Sequence, residues 1–259
     1  GKDPRGVAML FDTHCHIHES EFFDRKEQQA VYNRAVAADV KMICVSTSEK
    51  ASREAIEFCQ NHKDAWAIVG VHPHEAKDGY AEVGELLASH AKSIIGIGEI
   101  GLDYFYMHSD RDTQIAALEQ QLQWASDYQL PVSFHVREAF DDFWPIFNNF
   151  KAIKGILHSF TDNLSNMERG LSHGLCIGVN GISTFTKDAK QQEMYDSIPL
   201  KHMLFETDAP FLTPTPHRGK VNEPAYVRLV AEYHARRRNI EIDELASITT
   251  HSAKTLFSI

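Results

Sequence analysis

Histidines and carboxylates stand at the ends of short apolar segments along this sequence. The chain has 259 residues and 15 histidines, and His14 and His16 follow directly on the apolar segment that begins at Met9. Residues two apart in a β-strand point to the same face, so both imidazoles can reach one ion. Imidazole and carboxylate groups bind divalent metal ions, so the pattern predicts a metal site. The residues that end five other apolar segments are His72, Glu99, His135, His158 and Asp208.

Four of these histidines and the two carboxylates form the predicted ligand set. Six ligands are too many for one tetrahedral zinc ion, and they suit two divalent ions that share a bridging carboxylate. Glu99 is the predicted bridge, because its segment lies between the two groups of histidines. The other predicted ligands are His14, His16 and Asp208 for one ion, and His135 and His158 for the other.

Eight short apolar segments alternate with longer amphipathic ones. Their continuous apolar character is typical of parallel strands buried on both faces. Eight β-then-α units predict an α/β fold, a single (β/α)8 TIM barrel, with an open doubly wound sheet as the alternative. The predicted strands are residues 9–12, 42–47, 67–72, 94–99, 131–135, 155–158, 175–180 and 203–208. The predicted helices are residues 24–38, 113–129, 163–172 and 222–236, with candidate caps Asp24, Ser48, Asp110 and Asp162.

A parallel barrel explains why the candidate ligands follow the strands. The carboxyl ends of all its strands meet at one rim, where active sites lie. We therefore expect the metal site at this C-terminal rim. Residues 9–259 are expected to form this single hydrolase domain. Residues 1–8 are expected to be an added or disordered N-terminal segment, with Met9 as the natural start.

Composition and charge exclude several classes of protein. A chain that is 43% hydrophobic and 24% charged is typical of globular proteins. No apolar run approaches the ~20 residues that span a bilayer, so we expect a cytoplasmic protein without a membrane partner, a monomer or weak oligomer. The net charge of −10 does not favour nucleic acid at long range. A phosphate substrate would therefore need local cations.

Eight motifs in this sequence carry a family resemblance. They are FDTHCHIH (11–18), GVHPH (70–74), GEIGLDY (98–104), FHVREAF (134–140), LHSFT (157–161), ETDAPFLTP (206–214), PHRGKVNEPAYV (216–227) and THSAKTLF (250–257). Through them the chain resembles the TatD family of metal-dependent hydrolases, within the amidohydrolase superfamily. The resemblance implies a TIM barrel and the same six metal ligands. The sequence departs from the family pattern at LHSF, where members often have LHCF, and at the additional His18.

Other residues near these motifs have weaker assignments. We expect Arg218, Arg137 and His72 to contact substrate, because an arginine grips phosphate in a forked geometry and His72 ends a predicted strand. An equally weighted alternative is that His72 forms hydrogen bonds with other residues of the site. Asp103 is expected to orient a ligand histidine or, as the alternative, to cap a loop. We expect Glu206 to support the metal ligands from behind, and Asn222 and Glu223 to anchor the loop after the eighth strand. His18 and His74 are expected to be exposed loop residues.

The ligand set predicts hydrolysis by water activated by divalent ions, with Asp208 as the base and Glu99 as the second catalytic carboxylate. The TatD resemblance implies a deoxyribonuclease of 3′–5′ exonuclease type that takes single-stranded DNA ends. The alternatives are a D-aminoacyl-tRNA deacylase or another ester or amide hydrolase, and a metal-binding scaffold without catalysis. The donor types fit Mg²⁺, Mn²⁺ or Zn²⁺ and leave the native metal open.

Overall fold

Eight parallel strands in one sheet form the framework of the molecule. The computed structural model describes Gly6 and residues 8–259, so most of the predicted N-terminal segment 1–8 lies outside the described residues. The strands pair in chain order from β1 to β8, without the reversal of a doubly wound sheet. Helices alternate with them, which confirms the predicted (β/α)8 TIM-barrel fold. The strands are Leu10–Cys15 (β1), Val40–Val45 (β2), Ala65–Val69 (β3), Ile94–Asp103 (β4), Val132–Arg137 (β5), Gly155–Leu157 (β6), Cys176–Val179 (β7) and Met203–Phe205 (β8).

Helices of varied length follow the strands. They are Arg25–Ala37 (α1), Glu49–Asn61 (α2), Ala81–Ser89 (α3), Arg111–Tyr128 (α4), Phe140–Phe147 (α5), Leu164–Ser172 (α6), Ile182–Phe185 (α7), Ala189–Ser197 (α8), Val227–Arg238 (α9) and Ile242–Phe257 (α10). Three predicted caps are confirmed, because Asp24, Ser48 and Asp110 each accept a hydrogen bond from the amide three residues on, at 2.8, 3.0 and 2.7 Å. Within the described part of the chain, no helix has the length and apolar character needed to cross a bilayer.

One predicted cap and one predicted helix start were wrong. Asn163 caps α6 in place of Asp162, since its Oδ1 accepts from the amide of Asn166 at 2.9 Å. Asp162 instead accepts from the amide of Asn163 at 2.8 Å. α9 begins at Val227 and not at residue 222, because a short 3₁₀ turn over Pro224–Tyr226 precedes it.

Several strands end before the polar residues that were assigned to them. β8 ends at Phe205, and Asp208 beyond it has a backbone φ of 58°, in the left-handed region that no strand adopts. β3 and β6 also stop short of their histidines. β4 runs further than predicted, to Asp103, so that Glu99 lies within the strand.

Residue contacts divide the chain into two compact units. The terminal unit comprises the described residues up to Cys44 together with Ser159–Ile259, and the central unit comprises Val45–His158. In the terminal unit, α10 packs on β1 and β8. In the central unit, the buried rings of Phe134 on β5 and Phe143 on α5 meet edge to face, with centroids 5.1 Å apart. A single domain over residues 9–259 stays a prediction.

Candidate metal-binding clusters

His14, His16 and Asp208 form a cluster in the terminal unit. His14 lies on β1, His16 directly after it, and Asp208 just beyond β8. The Nε2 atoms of the two histidines are 3.2 Å apart. Asp208 Oδ1 lies 3.0 Å from His16 Nε2 and 3.6 Å from His14 Nε2. The amide of Asp208 donates to the carbonyl of His14 at 2.7 Å. This hydrogen bond fixes the carboxylate beside two buried imidazoles.

The distances in this cluster fit a divalent cation. With ligand bonds of about 2.0–2.1 Å, two donors of a tetrahedral site lie roughly 3.3–3.4 Å apart. The three separations in the cluster, 3.2, 3.0 and 3.6 Å, bracket that value. Two imidazoles and a carboxylate are also a donor set that divalent metals accept. The cluster therefore suits one divalent ion.

Glu19 orients His16 from the other side of the ring. Its Oε2 lies 2.6 Å from His16 Nδ1, and both side chains are buried. This contact directs His16 Nε2 toward His14 and Asp208. Burial alone would lower the pKa of His16, but the negative charges of Glu19 and Asp208 raise it. Glu19 was not predicted from the sequence, although an acidic residue three positions after a candidate ligand was a usable signal.

Asp12 fixes the backbone on both sides of this cluster. Its Oδ1 accepts hydrogen bonds from the amides of His14 at 3.2 Å and Thr207 at 2.8 Å. The hydroxyl of Thr207 donates to its other oxygen. Burial raises the pKa of Asp12 to about 8. Asp12 thus holds the segment of Asp208 against β1.

Three histidines of the central unit converge on one carboxylate oxygen of Glu99. Glu99 Oε2 lies 3.1 Å from His135 Nδ1, 3.5 Å from His72 Nε2 and 3.5 Å from His158 Nε2. The amide of Glu99 donates to the carbonyl of Ser46 at 2.7 Å, which anchors the backbone of this residue. The central unit therefore contains a second group of residues that could hold a divalent ion.

The shape of β4 brings Glu99 into this group. The pairing of β4 with β5 shifts between Gly98 and Ile100, so Glu99 is the extra residue of a β-bulge. A Cβ atom at Gly101 would lie 1.7 Å from the carbonyl oxygen of His135. Only glycine permits this close approach of the two strands that carry Glu99 and His135.

Asp103 orients His135, and this contact is the one expected from the sequence. Asp103 Oδ2 lies 2.8 Å from His135 Nε2 and 3.0 Å from His74 Nε2. A proton on His135 Nε2 leaves the lone pair of Nδ1 available on the side of Glu99. Burial alone would raise the pKa of Asp103, but the hydrogen bonds from His135 and His74 lower it. His74 is thus part of this network and not the exposed loop residue that was expected.

His72 carries its proton on the opposite ring nitrogen. The backbone amide of His74 donates to His72 Nδ1 at 3.0 Å, so Nδ1 has no proton. A neutral ring must then carry its proton on Nε2, the atom that faces Glu99. Burial is the main cause that lowers the pKa of His72 well below its usual value, so the ring is neutral near pH 7. Since an N–H group offers no lone pair to a cation, this arrangement supports a contact with substrate over a role as metal ligand.

The two arginines assigned to substrate are exposed and held by aromatic rings. The guanidinium carbon of Arg218 lies 3.7 Å from the ring centroid of Phe185, and its Nη1 donates to the carbonyl of Thr213 at 2.8 Å. The guanidinium carbon of Arg137 lies 4.0 Å from the ring centroid of Phe105. Both guanidinium groups therefore have defined positions at the surface, and their contacts with substrate stay predictions.

Other polar residues near the clusters hold loops. Glu206 Oε1 accepts from the amide of Ser159 at 2.7 Å, which agrees with its expected supporting role. Asn222 Nδ2 donates to the carbonyls of Thr207 and Phe211 at 2.9 and 2.7 Å and pins the loop after β8, as expected. His18 is buried, contrary to expectation, because the segment that follows β1 stays inside the unit.

The fold and the two clusters define a class of protein, the TIM-barrel hydrolases that depend on divalent metal ions. Comparison with known families agrees with this class. A family-wide sequence model described as TatD related DNase matches residues 11–258. The chain belongs to this family of metal-dependent hydrolases, as the sequence motifs predicted.

Individual relatives cover nearly the whole chain. An uncharacterized metal-dependent hydrolase of Bacillus subtilis, YabD, is 36% identical over 97% of this chain and 100% of its own length. A 3′-5′ ssDNA/RNA exonuclease TatD of Erwinia amylovora is 32% identical over 96% of this chain and 100% of its own length. Among solved structures, the TatD homologue YjjV of Escherichia coli superposes with a TM-score of 0.88 at 27% identity, over 96% of this chain and 98% of that chain.

Proposed function

We propose that this chain is a 3′–5′ exonuclease that hydrolyses phosphodiester bonds at single-stranded DNA ends with two divalent ions, Mg²⁺, Mn²⁺ or Zn²⁺. The observation that carries the proposal is that each unit brings together residues that could hold a divalent ion: His14, His16 and Asp208 in one, and Glu99 with its neighbouring histidines in the other. One ion would be held by His14, His16 and Asp208, and the other by Glu99 with His135 and His158. That Glu99 serves both ions is a prediction of the sequence. Nucleic acid as substrate is supported by the name of the Erwinia relative.

The chain's own side chains would divide the chemical work. Divalent ions held by these residues would supply activation of water for attack on phosphate at neutral pH. Asp208 would act as the base that takes up a proton. The Nε2–H group of His72 donates a hydrogen bond to a phosphate oxygen or to the departing alcohol. Glu19 and Asp103 keep His16 and His135 in the orientation that the clusters require.

Arg218 would supply the local positive charge that an acidic protein needs to hold DNA. The chain as a whole carries a net charge of −10, which repels a polyanion at long range. An exposed guanidinium group can bind a phosphate through two parallel hydrogen bonds. Stacking on Phe185 presents that group in one orientation. Arg137 is the corresponding cation of the central unit.

A panel of substrates tests the proposal. Purified protein is incubated with 3′- and 5′-labelled single-stranded DNA, RNA and D-aminoacyl-tRNA, with Mg²⁺, Mn²⁺ and Zn²⁺ in turn. We expect stepwise loss of nucleotides from the 3′ end of DNA, abolished by a chelator. Deacylation of D-aminoacyl-tRNA without cleavage of DNA would contradict the proposal and favour an ester hydrolase. The cytoplasmic location and the monomeric or weakly oligomeric state stay predictions.

A further inference from the structure

Two aromatic rings lie exposed directly after β4. The side chains of Phe105 and Tyr106 are 49% and 51% exposed, whereas Phe134 and Phe143 of the same unit are fully buried. Two adjacent exposed rings cost solvation free energy, and such patches commonly mark binding surfaces. Their position in the chain, two and three residues after Asp103, connects them to the central cluster.

The loop that carries these rings is fixed by hydrogen bonds. Asp103 Oδ1 accepts from the amides of Phe105 at 3.0 Å and Tyr106 at 3.2 Å. The hydroxyl of Tyr104 donates to Asp142 at 2.6 Å. The ring of Tyr106 also stacks on His108 with an interplanar angle of 12°. The aromatic rings are therefore presented in a defined orientation, so little conformational entropy is lost when a ligand packs on them.

The same carboxylate links this loop to the candidate ligand His135. One oxygen of Asp103 holds the loop amides, and the other lies 2.8 Å from His135 Nε2. Arg137, two residues after His135, places its guanidinium carbon 4.0 Å from the centroid of Phe105 and 5.1 Å from that of Tyr106. A cation and two exposed rings are thus connected, through Asp103 and through β5, to the candidate ligand His135. These are the two features that bind single-stranded nucleic acid: positive charge for the backbone and rings for the bases.

We propose that Phe105, Tyr106 and Arg137 form a stacking platform for unpaired bases of the strand whose phosphate is being hydrolysed, with one base against each ring, since the two ring planes are 89° apart. The inference rests on the proposed function and adds the reason for a preference for single strands. A base within a duplex is stacked on its neighbours and paired, so it cannot lie flat on a protein ring. An unpaired base near the strand end can do so, while Arg137 neutralises an adjacent phosphate.

Binding of modified oligonucleotides separates stacking from other effects of a substitution. The probe is a fluorescent single-stranded DNA with phosphorothioate linkages that resist cleavage, either with all its bases or with abasic sites in its last 3′ nucleotides. Anisotropy gives the Kd in the presence of Mg²⁺. Stacking of one base on one ring is worth about 5- to 100-fold in affinity, so Tyr106→Ala and Phe105→Ala should each raise the Kd of the normal strand by such a factor. Neither variant should change the Kd of the abasic strand by more than about twofold.

Two further variants control for damage to the fold. Tyr106→Trp keeps a large ring and should bind the normal strand as tightly as the wild type. Tyr128→Ala removes another exposed ring, at the end of α4 and before β5 begins, and should leave every Kd unchanged. If the alanine variants lose equal affinity for normal and abasic strands, or if neither variant loses affinity, the proposed platform is wrong.

The wild type distinguishes failure of this inference from failure of the proposed function. If it neither binds nor cleaves single-stranded DNA, both are wrong. If it cleaves DNA but the alanine variants bind the normal strand as tightly as before, only the platform is wrong. If the platform is right, the wild type prefers single strands to blunt duplexes, and both alanine variants lose much of that preference.

Discussion

At the residue scale, the hydrogen bonds of the ring nitrogens distinguish the candidate metal ligand His135 from His72. Asp103 favours a proton on His135 Nε2, which makes Nδ1, on the side of Glu99, the ring nitrogen that could bind a cation. The amide of His74 occupies Nδ1 of His72, so His72 presents an N–H group instead. Two histidines that approach the same carboxylate oxygen therefore have different chemical capacities. Residue type alone could not reveal this difference, because it depends on which hydrogen bond the second nitrogen makes.

Substitution of His72 should impair turnover without loss of metal. In His72→Ala the N–H donor is removed, and loss of one positioned hydrogen-bond donor typically slows a reaction by about 10²- to 10³-fold. The metal content, measured by elemental analysis of protein dialysed against excess Mn²⁺, should equal that of the wild type. His135→Ala is the matched variant and should lose one ion per chain. Loss of an ion from His72→Ala would show that His72 is a ligand.

Glu19 should contribute to metal affinity through His16. Glu19→Gln weakens the contact with His16 Nδ1, and loss of such a carboxylate partner typically costs about 10- to 100-fold in metal affinity. Competition with a fluorescent chelator measures this change. Glu21→Gln alters an exposed carboxylate of the same loop and should have no effect. Equal affinities for the Glu19 variant and the wild type would refute the orienting role.

At the element scale, the sequence predicted the number and order of strands because buried parallel strands are continuous apolar runs. It predicted the caps Asp24, Ser48 and Asp110 because each precedes an amphipathic segment. The C-terminal ends of several strands were mispredicted, because there the backbone leaves the sheet while the residues remain apolar or buried. Asp12 was also missed, because its partner Thr207 is distant in the chain and no local pattern encodes their contact.

α9 packs against β8 through a buried histidine. His234 Nε2 lies 2.7 Å from Ser183 Oγ, and its ring stacks on Phe205 with centroids 5.9 Å apart. Burial, reinforced by the positive charge of Arg238, lowers the pKa of His234 to about 3. The nearby ionisable groups are Arg238, Arg237, Asp196, Tyr195 and Tyr233, of which Asp196 opposes the shift.

This histidine should make the protein sensitive to acid. Between pH 6.5 and about 3 the unfolded chain binds a proton that the folded chain does not, so the free energy of unfolding falls as the pH falls. From pH 7 to pH 4 the loss from this group is roughly 3 kcal/mol. In urea unfolding across this pH range, the free energy of unfolding should fall less for His234→Gln than for the wild type, because glutamine cannot take up the proton. His251→Gln, at an exposed position on α10, should follow the wild type. Parallel pH profiles for His234→Gln and the wild type would contradict the prediction.

At the scale of the whole molecule, net charge limits how DNA can be held. A protein of charge −10 can gain affinity only from local contacts, so few counterions are released on binding. Each phosphate neutralised on a single strand contributes about −0.7 to the slope of log affinity against log salt. With Arg218 and Arg137 as the contacts, the slope should lie between about −1 and −2.

Arg218→Ala should reduce both affinity and salt dependence. Loss of one charge-assisted contact costs about 1.5–3 kcal/mol, or roughly 10- to 100-fold in KM or Kd for DNA, and should make the slope less steep by about 0.7. Metal content should not change. Lys220→Ala removes a neighbouring exposed cation and should alter neither quantity. An unchanged slope for the Arg218 variant would show that this guanidinium group does not bind phosphate.

The central claim is that the two clusters make this TIM barrel a metal-dependent nuclease. Its most direct test is the rate at which nucleotides leave the 3′ end of single-stranded DNA, compared between the wild type and Asp208→Asn at saturating Mg²⁺ or Mn²⁺. The substitution keeps the size of the side chain but removes the base and its charge. We predict metal-dependent release by the wild type and a rate lower by at least about 10²-fold in the variant, with an unchanged circular dichroism spectrum. A variant that releases nucleotides at the wild-type rate would contradict the account.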